Sequence, residues 1–297
     1  MNVEMSYLLG MVCGNGEIQR NMSDTIISIT IPHKKLVTED FHDIKLYVKA
    51  SIADIRNIIE PLIGNSLKFI QHQHCTIISF SKPNNEYLIR EILRYIGNAN
   101  THNEIKLDNE ILLNFSIDEK KYFLRGFADV TGYIRRSNCY FNKYEHRVYL
   151  EIPNNWQLVV DICNLLKSID IPIQNIDWAH PNMRDGYCKK YNEGNFSFWK
   201  KEHQIKIWAN EFLPIGFGVL HKQQALEMYS NELIAGYNKA GKNSSDVTHR
   251  YYWDSKKKYS KKKIQHPCEG DEFIPEIIRG KHFNSWVEIA SELGYVE

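Results

Sequence analysis

A ten-residue pattern occurs twice in this chain, and a duplication of that kind constrains the fold more firmly than any local propensity. Tyr7-Leu8-Leu9-Gly10-Met11-Val12-Cys13-Gly14-Asn15-Gly16 is matched 116 residues later by Phe123-Leu124-Arg125-Gly126-Phe127-Ala128-Asp129-Val130-Thr131-Gly132. In each copy an aromatic residue and a Leu precede a Gly, and a second Gly closes the pattern six positions on. Similar element patterns follow both copies. After the first, Thr25 to Ile31 alternates like a half-buried strand, with Ile27, Ile29 and Ile31 on one face and Ser28 and Thr30 on the other. Ala50 to Ile63 then has helical apolar spacing, and strands at 67–71 and 75–81 precede a helix over 85–96. After the second, strands at 133–137 and 147–152, a helix over 155–169, strand-like pairs up to Trp208 and a helix over 223–234 repeat the order. Each half therefore reads α-β-β-α-β-β-α, an α+β class with a pseudo-two-fold.

The organisation expected is a first repeat over 1–100, a linker over 101–116, a second repeat over 117–236 and an extension over 237–297. A hydrophobic share of 43% and a charged share of 25% in 297 residues suit a globular chain and exclude disorder or fibre. The formal charge of +1 hides a polarity, since residues 241–264 carry a net +6 and residues 265–297 a net −5. Any polyanionic partner must therefore be met by a local patch. Six scattered cysteines without CxxC spacing argue for buried thiols rather than a disulfide framework or a zinc module. No apolar run approaches membrane-spanning length and the start lacks a signal-peptide pattern, so a soluble, monomeric, cytoplasmic protein with no membrane partner is expected.

Two glycines spaced in this way clear one stripe of a helix, which lets two such helices touch backbone to backbone. The later glycines are expected to lead the chain out of the helix into the following strand. On these residues YLLGMVCGNG and FLRGFADVTG resemble the two copies of the LAGLIDADG motif of single-chain homing endonucleases, a likeness extending as architecture over about residues 1–236. The resemblance implies Gly10 and Gly126 at a helix–helix interface and two four-stranded sheets forming a DNA-binding saddle, to which this sequence adds a basic C-terminal extension. It also implies an acid before each closing Gly that binds divalent metal near a scissile phosphate, because Mg²⁺ prefers hard anionic oxygens. The chain departs from the family there, with Asn15 and Thr131 at the acid positions. Asp129 and Glu17 are the nearest substitutes.

If a saddle binds DNA, the polar face of each strand should meet the groove. That selects Ser28, Thr30, Gln71, Gln73, Ser79 and Ser81 in the first half, and Arg135, Arg147, Tyr149, Glu151, Gln204 and Lys206 in the second. Such residues suit base edges and phosphates, and equally a solvated face. Arg250, Lys256, Lys257, Lys258, Lys261, Lys262 and Lys263 are interleaved with Tyr251, Tyr252, Trp253 and Tyr259, which can lie along phosphates or form a solvated linker. The acidic tail has one short helical pattern near 284–293 and is a candidate docking segment for a partner protein, while His266, Cys268 and His282 are too sparse for a metal site. The favoured expectation is a sequence-specific double-stranded DNA-binding protein with cleavage lost, as a regulator or the specificity component of a restriction or defence system. Binding would need no cofactor. The alternatives are an active Mg²⁺-dependent homing or restriction endonuclease and an RNA-binding intron maturase.

Overall fold

The computed structural model describes residues 2–38, 43–107, 109–136, 146–152, 155–173, 175–177 and 203–239. The first motif forms α1 (Val3–Asn15), capped by the Asn2 side chain, which accepts from the Met5 amide at 2.9 Å. Every residue from Met5 to Gly14 is buried, so this helix is apolar all round rather than amphipathic, as a central helix must be. It runs into β1 (Gly16–Arg20) and β2 (Asp24–Pro32), followed by α2 (Ile44–Ile63), β3 (Lys68–Gln71), β4 (Cys75–Pro83) and α3 (Tyr87–Ile96). Helix α2 begins six residues before the expected Ala50, because the Asp43 carboxylate caps it by accepting from the Leu46 amide at 3.0 Å.

The four strands form an antiparallel sheet in the order β1-β2-β4-β3. Along β2 and β4 the side chains alternate strictly, with Ile27, Ile29, Ile31, Ile78 and Phe80 buried and their neighbours partly open. The edge strand β1 is covered by the start of the expected linker. The Ile18 amide donates to the Asn100 carbonyl at 2.7 Å and the His102 amide to the Gly16 carbonyl at 2.9 Å. The Arg20 guanidinium binds the carbonyls of Gly97 at 2.8 Å and Ala99 at 3.0 Å.

After a short helix α4 (Asn109–Asn114), the second motif forms α5 (Ile117–Thr131), which opens on a capping box between Ser116 and Glu119. Then come β5 (Gly132–Arg136), β6 (His146–Ile152), α6 (Trp156–Lys167), β7 (Asn175–Asp177), β8 (His203–Trp208), the helical turn α7 (Ala209–Phe212) and α8 (Leu220–Lys239). The second sheet has the order β5-β6-β8-β7, the same topology as the first. The described residues thus make an α+β fold of two α-β-β-α-β-β-α repeats, as the duplicated pattern predicts, with the short helices α4 and α7 added. They fall into two compact units, one within 1–148 and 208–242, the other within 149–207. Among the described residues no helix is long and apolar enough to cross a membrane. Cys13 and Cys163 are buried thiols and Cys75 is half-buried.

Candidate nucleic-acid interface and the feet of the motif helices

Helices α1 and α5 meet backbone to backbone. A Cβ placed on Gly10 would lie 1.9 Å from the Phe123 carbonyl oxygen, and one on Gly126 would lie 2.0 Å from that of Tyr7. Tyr7 and Phe123 are themselves equivalent in the two motifs, so the contact is reciprocal. Gly14 makes room instead for Val130, whose Cγ2 would stand 2.6 Å from an added Cβ. Gly16 and Gly132 leave their helices in ordinary extended conformation, so no left-handed turn is involved. At Gly16 the constraint is steric, since a Cβ there would come within 2.5 Å of the Val12 carbonyl.

The C-terminal feet of the two helices are built from different chemistry. The Asn15 side-chain amide donates to the Thr30 carbonyl on β2. Thr131 is buried and its hydroxyl donates to the Phe127 carbonyl at 2.7 Å, one turn back in its own helix. Asp129 is fully buried. Its carboxylate accepts from the Tyr7 hydroxyl and the Gly218 amide, both at 2.7 Å, and the Lys222 ammonium stands 3.7 Å away. Burial pushes the Asp129 carboxyl up, while Lys222, Tyr7 and the amides of Gly218 and Val219 pull it back.

Lys222 on α8 has no exposed surface and closes the α5 foot, donating to the carbonyls of Ala128 at 3.1 Å, Asp129 at 3.4 Å and Gly132 at 3.0 Å. A cation there suits the carbonyl-rich end of a helix. Burial, with a smaller push from the charge of Lys35, lowers its pKa to about 8 against the support of Asp129. Lys35 is also buried, with its ammonium 4.6 Å from the centre of the Tyr133 ring. These residues do not fit a divalent cation. The Thr131 hydroxyl is committed within its helix, the Asp129 carboxylate is enclosed, and an ammonium already sits on the carbonyls. Among the described residues no group of three or more His, Cys, Asp or Glu is placed to hold a metal. Glu17 is exposed and sits on the open face of the first sheet, opposite Ser28.

Directly paired residues of an antiparallel sheet share a face. The register therefore puts Glu17, Ser28, Ser79 and Lys68 in one row across β1-β2-β4-β3, Gln19, Ile26 and Ser81 in the next, and Thr30, Ile77 and Ile70 on the other side. Ser28, Thr30, Ser79 and Ser81 lie on this face as expected. The Ser28 and Ser79 hydroxyls are 3.1 Å apart, and the Ser81 hydroxyl donates to Asp24 at 2.8 Å. Gln71 and Gln73 correct the expectation. Gln71 pairs with the buried Thr76, on the face that carries Phe69 and Ile78, and Gln73 lies in the hairpin turn between β3 and β4. Lys68 and Gln19 take their place.

In the second sheet the expected exposure is also corrected. Tyr149, Glu151, Gln204 and Lys206 are all buried. The Gln204 amide nitrogen donates to Glu151 at 2.9 Å, its oxygen is buried without a hydrogen-bond partner, and the Lys206 ammonium lies 5.8 Å from the Tyr149 ring centre. Arg147 is half-buried over the Trp208 ring at 4.4 Å, and Arg135 is half-buried over Tyr133 at 5.4 Å. Arg250, Lys256, Lys257, Lys258, Lys261, Lys262, Lys263, His266, Cys268, His282 and the acidic tail lie outside the described residues.

No protein-family model and no curated protein matches the chain. Among solved structures it is similar to I-DmoI in complex with DNA and Mn, at 13% identity over 75% of this chain and 97% of that one, with a TM-score of 0.39. Full-length DUF199/WhiA from Thermatoga maritima aligns at 12% identity over 83% of this chain and 64% of that one, with a TM-score of 0.42. The LAGLIDADG homing endonuclease I-GzeII in complex with its DNA target aligns at 9% identity over 84% of this chain and 95% of that one, with a TM-score of 0.44.

Proposed function

We propose that the chain binds double-stranded DNA in a sequence-specific manner through the open face of its first sheet, as a protein that does not cut. The observation that carries this reading is the division of that sheet into two faces. One is sealed on apolar core, while the other presents Gln19, Ser28, Thr30, Lys68 and Ser79 on strands whose outer edge is already closed. Hydroxyl, amide and ammonium groups at strand spacing suit base edges and phosphates in a major groove. The doubled motif and its reciprocal glycine contact support the same reading.

Loss of cleavage is argued from the feet of α1 and α5. The positions where the motif family carries acids hold an amide bonded to the Thr30 carbonyl and a hydroxyl bonded to the Phe127 carbonyl, beside a buried ammonium. None of these supplies the anionic oxygens that a hydrated Mg²⁺ needs. Within this reading the basic run from Arg250 to Lys263 adds phosphate contacts, and the acidic segment 265–297 docks a partner chain that supplies cleavage in a restriction or defence system.

The test is selection of bound duplexes from a random library, with the recovered DNA checked for nicks in Mg²⁺ or Mn²⁺. An enriched and intact motif is expected. Cut DNA would overturn the loss of cleavage and point to Glu17 as a recruited acid. Failure to enrich any duplex would overturn the binding reading and direct the search to RNA.

A further inference from the structure

The open face of the first sheet changes character along its strands. Around Ser28 and Ser79 it is polar, but at the end nearest the α1 foot the row Thr30–Ile77–Ile70 carries only methyl-bearing side chains at its outer surface, and Pro32 opposite Cys75 follows. Ile70 is 47% exposed, although an open antiparallel face ordinarily takes polar residues there. With neighbouring strands just under 5 Å apart, the three residues span roughly 10 Å, within the width of a B-DNA major groove. Cations flank this patch, with Lys68 in the adjoining row and exposed Lys34 in the helical turn that follows Pro32. The carboxylate in the adjoining row, Glu17, lies at its opposite end, on β1.

An apolar strip between cations matches a ligand that is apolar inside and anionic at its rims. We propose that Thr30, Ile70 and Ile77 read thymine methyl groups in the major groove, so that the bound site carries thymines at the positions facing this row. The inference rests on the DNA-binding reading above and sharpens it. The 5-methyl of thymine is the feature of the groove that an aliphatic side chain can recognise, while Lys34 and Lys68 meet the phosphates on either side.

The experiment uses the full-length chain and a duplex recovered from the selection. Each thymine is replaced in turn by deoxyuridine, which keeps the Watson–Crick pair and lacks only the methyl. Binding is expected to weaken roughly fourfold for each contacted methyl, at one to three positions. Ile70→Ser, on an edge strand and half-exposed, should bind the thymine and uracil duplexes equally, and Ile77→Ser should do the same if its thermal melting shows the sheet intact. Equal affinity of the native chain for every uracil duplex would overturn the methyl readout while leaving DNA binding standing. Failure to bind any duplex would overturn both.

Discussion

Where α1 crosses α5 the two motifs do the same thing, and at their feet they do not. Gly10 meets the Phe123 carbonyl as Gly126 meets that of Tyr7, so the crossing has two equivalent halves. At the feet, Asn15 reaches across to β2, whereas Thr131 turns back on its own helix beneath a buried Lys222. The crossing is constrained by geometry, because two backbones can approach this closely only where both stripes lack side chains. The feet have no such constraint on residue type, and each forms its own hydrogen-bonded group.

The largest expected effect tests the foot of α5. Lys222→Met would leave the Asp129 carboxylate buried without its cation, and stability in a urea titration should fall by about 3–5 kcal/mol. Adding Asp129→Asn should recover much of that loss, and a double variant no better than the single one would break the pairing. The same lysine predicts a pH signature. Its folded pKa of about 8 lies below the ordinary 10.5, so from about pH 8 to 10.5 the unfolded chain holds a proton that the native chain has released. Stability contributed by this group therefore rises with pH across that window and is flat below it. A slope in Lys222→Met identical to that of the native protein would remove the assignment.

The crossing should respond next. Gly10→Ala and Gly126→Ala each force a Cβ onto a carbonyl oxygen, and each is expected to cost about 3 kcal/mol by equilibrium unfolding. Unequal losses would break the equivalence claimed for the two halves. Gly14→Ala should cost about 1 kcal/mol, because the atoms in its way are the Val130 and Thr131 methyls, which can shift as a backbone cannot. Smallest are the caps. Asn2→Ala and Ser116→Ala should each lower stability by about 1 kcal/mol, with the Ser116 loss the greater if its reciprocal bond to Glu119 counts.

The glycine spacing made the crossing legible in the sequence, and the alternation of β2 and β4 displayed the first sheet. Helix α2 was legible only from Ala50, because its first three residues, 44–46, are exposed and show no core periodicity. The face of Gln71 is hard to read from sequence because strand phase has period two, and a slip of one residue exchanges the faces. Phe69, of the same parity as Gln71, was the available signal. In β6 the alternation of Arg147, Tyr149 and Glu151 with Val148, Leu150 and Ile152 is clean, yet Tyr149 and Glu151 are buried along with their neighbours. Alternation reports two kinds of face and says nothing about whether the polar one is covered. Lys222 had no signal at all, since its partners lie 90 or more positions away and local spacing cannot bring them together.

The segment 97–102 that lies along β1 gives the connection between the repeats a second task. An uncovered outer strand is a template for another chain, and here the tether itself blocks that template. Severing the polypeptide just after Ile96 would free the strand along with the repeat and invite fibrillar or edge-to-edge association. Severing it at 107 would release a first fragment that carries its own seal. The join between duplicated halves is thus a safeguard whose value depends on where along its length it is broken.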